Sequence, residues 1–164
     1  MRHRELPVEK LKEYLYYDPT VGVLINKKKR GKCAAGDFVG GPSKHNKKYW
    51  VVGFDGQPYY FSRVCWAIHY GASPSGQIDH INGDRADNRI ENLRECSHQQ
   101  NQFNKKGRSI RFMKGVSLDK AGYRAKISVS GKSIHIGRFL TELDAHEAYC
   151  SKAKELHGEF SRFE

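Results

Sequence analysis

The chain has 164 residues, enough for one ordinary domain or two small ones, and 38% of them are hydrophobic, so packed cores are expected. It contains no run of about 20 apolar residues, the length that spans a bilayer, and its first residues lack the apolar stretch of a secretion signal. The composition therefore excludes a membrane protein and favours a soluble, cytoplasmic one.

The formal net charge of +11 is shared along the chain. Residues 1–104 carry 16 basic residues against 11 acidic ones, and residues 105–164 carry 13 against 7. A nucleic acid is the simplest partner for both parts, since each neutralised phosphate releases condensed counterions. The alternative is a soluble basic protein without such a partner. The four cysteines lie far apart without a CxxC pair, so neither a disulfide framework nor structural zinc is expected.

The first predicted element is a helix that begins at Pro7 and ends before Pro19. Proline suits a first turn, and the residue before a proline avoids helical backbone. A short strand over residues 22–25 is expected next, followed by a loop over residues 27–41 that is rich in lysine, arginine and glycine. The basic run at residues 27–30 is typical of either a phosphate contact or a solvated charged loop.

A β-hairpin followed by a helix is predicted in the next part of the chain. Residues 49–54 and 59–61 have strand composition and flank the turn Asp55-Gly56. The helix is expected over residues 63–70, because apolar residues recur there at helical spacing.

The segment from Gln77 to Phe103 is crowded with carboxylates, carboxamides and imidazoles, a composition that core packing explains poorly. Within it, Asp79 offers the hard oxygen ligand that a cation such as Mg²⁺ prefers. Its neighbour His80 suits proton abstraction at neutral pH, because the reference pKa of histidine is about 6.5. An Asp-His pair alone is not specific for catalysis.

The whole segment follows the pattern DHxxGDxxDNRxxNLRxxxxxxN. The matching positions are Asp79, His80, Gly83, Asp84, Asp87, Asn88, Arg89, Asn92, Leu93, Arg94 and Asn101. The segment resembles the motif of the zinc-free HNH endonucleases found among phage homing endonucleases. The resemblance implies two strands and a helix wrapped around one divalent metal ion, Mg²⁺ or Mn²⁺, within residues 77–104.

The resemblance also implies a role for each of four positions. His80 matches the general base that activates the attacking water, and Asn92 matches the asparagine that fixes the loop and helps to orient that histidine. Asp79 and Asn101 match the two metal ligands. A cation held there would stabilise charge on the phosphoryl oxygens while His80 takes the water's proton. The family's products carry a 5′-phosphate and a 3′-hydroxyl.

Other polar residues of the segment have two interpretations. Asp84, Asp87 and Asn88 suit turns and side-chain-to-backbone bonds better than metal binding. Arg89 and Arg94 are candidates either for gripping DNA phosphates or for pairing with neighbouring carboxylates.

The preceding region resembles the same phage family in the sequence Tyr17-Asp18-Pro19 with Gly22, and in the hairpin that leads into an arginine-containing helix. Arg63 of that helix is a further candidate for DNA contact. Relatives commonly have His-Arg where this chain has Ser62-Arg63, so any catalytic assistance from that histidine is in doubt here.

Residues 105–113 are polar and basic and are predicted to link a nuclease domain over residues 1–104 to a second domain over residues 114–164. Three strands are expected in the second domain, over residues 115–118, 123–130 and 133–139. A helix capped by Thr141 should follow and end near Leu156.

This C-terminal pattern resembles the APETALA/ethylene-response-factor DNA-binding domain, which lays a three-stranded sheet in the major groove. The resemblance rests on Gly115-Val116, Tyr123-Arg124-Ala125, the stretch from Ile136 to Phe139 and the alanine-rich helix. Alternation along the second strand should place Arg124 and Lys126 outward, opposite an apolar face that packs on the helix. The candidates for DNA contact are Lys114, Arg124, Lys126, Lys132, His135 and Arg138; the alternative is a solvated sheet face.

The fold class expected is α+β, a ββα-metal nuclease domain followed by a three-stranded antiparallel sheet packed on one helix. The function expected is metal-dependent hydrolysis of DNA phosphodiester bonds, and RNA stays open as a substrate. The alternative is a DNA-binding regulator that uses the HNH segment as a scaffold and cleaves nothing. A monomer would nick DNA, whereas a homodimer could cut both strands. A phage-encoded protein of this kind would act in the host cytoplasm.

Overall fold

The computed structural model describes residues 4–44, 47–106 and 111–163 of the chain. The chain forms two compact units, residues 1–97 and residues 98–164. Both units combine helices with antiparallel strands, which agrees with the expected α+β class. No helix in the described ranges is both long and apolar enough to cross a membrane.

The elements of the first unit are, in chain order, α1 (Val8–Tyr14), β1 (Leu15–Asp18), β2 (Val23–Asn26), β3 (Gly41–Pro42), β4 (Trp50–Phe54), β5 (Gln57–Tyr60), α2 (Phe61–Tyr70), β6 (Gln77–His80) and β7 (Leu93–Cys96). A single 3-10 turn, Ile90–Asn92, precedes β7. The strands pair as β1–β2, as β3–β4–β5 and as β6–β7.

Helix α1 is shorter than the sequence predicts, because the chain turns directly into strand β1 at Leu15. The backbone of Leu15 is extended, and β1 pairs with β2 along its whole length. Leu15 and Tyr17 alternate as buried residues on this strand. The pairing with β2 therefore ends the helix well before Pro19, where the sequence predicts its end.

The predicted hairpin is formed by β4 and β5 around Asp55-Gly56. Both turn residues have positive φ, at 48° and 70°, as a tight two-residue turn between twisted strands requires. Helix α2 follows β5 and packs its buried face on the core of this unit. The largest fully buried apolar side chains of that core are Leu11, Leu15, Leu24, Val52 and Val64.

The elements of the second unit are α3 (His98–Phe103), β8 (Val116–Asp119), β9 (Gly122–Val129), β10 (Lys132–Phe139) and α4 (Glu142–His157), with a 3-10 turn at Gly158–Phe160. The antiparallel sheet has the order β10-β9-β8. Ala125 and Ile127 of β9 are buried, and α4 contributes Ala145, Tyr149 and Ala153 to the same small cores. The predicted alternation along β9 therefore holds.

Helix α4 begins where the sequence predicts. The Thr141 hydroxyl accepts a hydrogen bond from the Asp144 N–H at 3.1 Å, which satisfies one of the unpaired donors at the helix start. Gly115 is required before β8, because it has φ +82° and a Cβ there would lie 2.0 Å from the Tyr149 ring.

The two units divide before the predicted linker of residues 105–113. The reason is that α3 packs against the end of the chain: the ring of Phe103 stacks on that of His157 with centroids 3.5 Å apart. The predicted domain bounds stay a prediction, and part of that linker, residues 107–110, lies outside the described residues.

Candidate active site

Strands β6 and β7 form an antiparallel hairpin that carries the first HNH positions. Asp79 lies directly opposite Arg94, and His80 lies opposite Leu93. The polar loop of residues 81–92 joins the two strands. The hairpin therefore fixes the backbone on which the candidate metal ligand and the candidate base are carried.

Asn92 ties this loop closed at its base. Its side-chain oxygen accepts from the Asn82 N–H at 2.9 Å, and its side-chain nitrogen donates to the Asp87 carbonyl at 2.7 Å. The residue is 6% exposed, so both bonds are shielded from water. These are the contacts of a loop-fixing residue.

His80 is half-buried at the end of β6, and its Nε2 lies 3.1 Å from Oδ1 of Asn88. Burial lowers the pKa of His80 below the ordinary value of 6.5, and the Asn88 contact opposes this shift in part. The imidazole is therefore neutral at pH 7, which is the form that a general base needs. The sequence motif contains Asn88, but only the folded loop brings it to the histidine.

Asp79 is buried and paired with Arg94. Its Oδ2 accepts from Nε of Arg94 at 3.0 Å and from Nη2 at 2.9 Å. Of the two interpretations of Arg94, the structure shows carboxylate pairing, but with a residue on the partner strand rather than with a sequence neighbour. The hairpin register creates this pair, which the sequence alone does not specify.

Arg89 is also engaged in ion pairs within the loop. It donates to both carboxylate oxygens of Asp87, at 2.9 and 2.8 Å, and lies 2.7 Å from Glu91. The Arg89 guanidinium lowers the pKa of Asp87 to about 2. Asp84 accepts from the Ala86 N–H at 2.9 Å, which is the turn role that its sequence position predicts.

Arg63 has a structural role in α2. It is 6% exposed, and its guanidinium donates to the backbone carbonyls of Pro74 and Gly76. These bonds hold the segment that leads into β6. These two bonds use part of the donor capacity of the guanidinium, and a DNA contact by Arg63 stays a prediction.

At the end of β6, the carboxylate of Asp79 is the oxygen donor that a hard divalent cation would use. No group of three or more His, Cys, Asp or Glu side chains that could hold a metal occurs in the described ranges. Magnesium needs no such group, because it is usually bound through one or two carboxylates and keeps several waters. Asp79 supplies the carboxylate of the hairpin. Asn101 lies half-buried on α3, which belongs to the second unit.

The second unit has a basic concavity on the outer face of its sheet, lined by Arg124, Lys126, Ser133, His135 and Arg138. Lys126 lies opposite His135 across the two strands, and Arg124 lies opposite Arg138. The directly opposed guanidiniums of Arg124 and Arg138 repel each other, and the carboxylate of Asp119, 3.4 Å from Arg138, offsets part of that repulsion. A buried N–H, Nε of Arg124, also lacks a hydrogen-bond acceptor within the described residues.

Two further predicted DNA contacts do not line this concavity. Lys132 is exposed at the start of β10. Lys114 is half-buried, and its ammonium donates to the carbonyls of Phe103, Lys105 and Arg162, at 3.3, 2.6 and 2.6 Å. Burial lowers the pKa of Lys114 to about 8. The ammonium thus joins three segments of the second unit, and a DNA contact by Lys114 stays a prediction.

Comparison with known proteins identifies the family of the motif segment. Residues 59–103 match the family model of HNH endonucleases. The chain belongs to the HNH endonuclease family through this segment. An uncharacterized HNH endonuclease of Acanthamoeba polyphaga mimivirus is 32% identical over 126 residues, which cover 71% of this chain and 66% of the viral protein. No solved structure matches the chain. The expected enzyme class is therefore confirmed as that of the HNH nucleases.

Proposed function

We propose that this HNH family member hydrolyses DNA phosphodiester bonds, with His80 as the general base and one divalent ion, Mg²⁺ or Mn²⁺, held by Asp79 and Asn101. The observation that carries the proposal is the end of β6, where a buried carboxylate and a half-buried imidazole occupy consecutive residues of a hairpin whose loop is held by Asn92. Asn101 enters the ligand set through its motif position.

His80 is suited to the proton transfer that hydrolysis requires. The neutral imidazole takes a proton from water as the water oxygen attacks phosphorus. The bond from phosphorus to the 3′ oxygen breaks, and that oxygen takes up a proton from solvent to become the 3′-hydroxyl. Burial keeps His80 in its neutral form at pH 7. When bound, the metal ion supplies positive charge near the phosphoryl and leaving oxygens.

Arg94 supports this site as the counter-ion of Asp79. A buried carboxylate without a partner is strongly unfavourable, and the guanidinium offsets that cost through two N–H bonds to Oδ2. The rival function is a DNA-binding regulator that uses the same hairpin as a scaffold and cleaves nothing.

We further propose that the second unit binds the DNA through the basic concavity. Arg124, Lys126, His135 and Arg138 would contact phosphates or base edges, with Lys132 as an exposed neighbour. The opposed guanidiniums of Arg124 and Arg138 support this, since a polyanion relieves their repulsion. The likeness to the APETALA/ethylene-response-factor domain belongs to the same proposal.

Supercoiled plasmid tests the nuclease proposal. Wild type should nick the plasmid with Mg²⁺ and not with EDTA, and His80→Ala should lower the rate by roughly 10²–10⁴-fold. His98→Ala is the matched control, because His98 is exposed and matches no motif position; it should cut like wild type. Binding of the plasmid without any metal-dependent cutting by wild type would favour the regulator.

A further inference from the structure

The orientation of the Asn88 side chain is fixed by its partners. Asn88 is 3% exposed, and its Nδ2 lies 3.1 Å from the Ala86 carbonyl. Only the nitrogen of a carboxamide can donate to a carbonyl, so Nδ2 must face Ala86. Oδ1 is therefore the atom that faces Nε2 of His80 at 3.1 Å.

This orientation determines which nitrogen of His80 carries hydrogen. A carboxamide oxygen only accepts, so Nε2 must be the donor in this contact. A neutral imidazole has one donor and one acceptor nitrogen, which makes Nδ1 the atom with the lone pair. Nδ1 is thus the nitrogen able to take a proton from water.

Strand β1 and the turn that joins it to β2 hold the backbone of Asn88. The Tyr17 hydroxyl donates to the Asn88 carbonyl at 2.7 Å, and the Ile90 N–H donates to the Pro19 carbonyl at 3.0 Å. Gly22 has φ +78°, and a Cβ there would lie 2.5 Å from backbone atoms of Asn88 and Arg89. The approach is therefore close enough to require glycine.

We propose that Asn88 is a positioning residue for His80, which holds the imidazole in the Nε2–H tautomer with Nδ1 as the proton acceptor. The end of β1 and the turn that follows it, residues 17–22, support this role by fixing the Asn88 backbone. This gives a function to the Tyr-Asp-Pro sequence and its following glycine. The inference rests on the proposed nuclease function for its effect on rate, but the tautomer is measurable without cleavage.

The test is nitrogen NMR of the full chain with ¹⁵N-labelled histidine, recorded near neutral pH and without metal. Long-range proton–nitrogen correlations distinguish the two tautomers, and the His80 signals are those that His80→Ala removes from the eight histidines. Wild type should show His80 as the Nε2–H tautomer. Asn88→Ala should lose that preference and cut roughly tenfold more slowly. That factor corresponds to about 1.4 kcal/mol, the contribution of one hydrogen bond.

Two variants separate positioning from a general effect on the fold. Asn88→Asp keeps an oxygen acceptor facing Nε2 and should retain the tautomer and cut faster than Asn88→Ala. Asn82→Ala is the matched control, because Asn82 is exposed in the same loop and its side chain contacts Asp84 and Asp87 instead. It should leave the His80 tautomer unchanged.

An Nδ1–H tautomer in wild type would overturn the inference without any variant. An Asn88→Ala variant with the wild-type tautomer of His80 and the wild-type cleavage rate would also overturn the inference. A wild type that shows the Nε2–H tautomer, loses it in Asn88→Ala and yet cuts no DNA with any metal would support the role of Asn88 and refute the nuclease function. The two claims therefore fail separately.

Discussion

The β6–β7 hairpin and the outer face of the β8–β10 sheet use polar side chains in opposite ways. In the hairpin, Asp79 and Asn88 are buried, and each has a defined partner within the same unit. On the sheet, Lys126 and His135 are exposed and lie opposite each other on neighbouring strands. Chemistry needs groups held in one geometry, whereas recognition of a polyanion needs charge that solvent and DNA can reach.

The arginines show the difference most plainly. In the first unit, Arg63 donates to backbone carbonyls and Arg94 donates to a buried carboxylate. On the second unit, Arg138 is exposed and its contact with Asp119 is long, at 3.4 Å. A basic residue near a nuclease motif is therefore not by itself a DNA contact; its partners in the fold decide this.

The largest expected effect comes from breaking the buried pair of the hairpin. Arg94→Met should destabilise the chain by about 3–5 kcal/mol, because it leaves the Asp79 carboxylate buried without its counter-ion. Urea unfolding of the full chain measures this.

Arg89→Met is the matched control for that experiment, since Arg89 pairs with Asp87 and Glu91 at an exposed position. Its effect should be much smaller. Equal losses in the two variants would show that the hairpin is no better ordered than its exposed loop, and would remove the contrast between the two regions.

A smaller effect is expected from pH. A general base must be neutral, so the cleavage rate should fall about tenfold per pH unit below the pKa of His80. Because burial lowers that pKa, the fall should begin at a pH more acidic than 6.5, the ordinary histidine value. The measurement is the single-turnover rate with DNA well below saturation, because its pH dependence then reports the base of the free protein. A midpoint at or above 6.5 would contradict the burial of the base.

The sequence predicts those features that depend on local patterns. The Asp55-Gly56 turn, the alternation of Arg124 and Lys126 with Ala125 and Ile127, and the cap at Thr141 need only neighbouring residues. The family match also confirms the nuclease class of the motif segment.

What the sequence does not predict depends on contacts between distant residues. The Asp79–Arg94 pair requires the register of a hairpin whose loop length is not known in advance, and Asn88 reaches His80 only through the folded loop. The sequence does not predict strand β1, because residues 15–18 also suit a continuation of the first helix. Arg63 and Lys114 carry the positive charge expected of a DNA contact, but each donates hydrogen bonds to backbone carbonyls.

The most direct test of the account is to measure DNA binding and cleavage together in two variants of the full chain. His80→Ala should bind a labelled duplex like wild type and cut it roughly 10²–10⁴-fold more slowly. Arg124→Ala combined with Lys126→Ala should weaken binding, with a salt slope lower by about 2, yet cut at the wild-type rate once the duplex saturates. Cleavage by His80→Ala at the wild-type rate, or a loss of the saturated rate in the sheet variant, would contradict the assignment of chemistry to the hairpin and binding to the sheet.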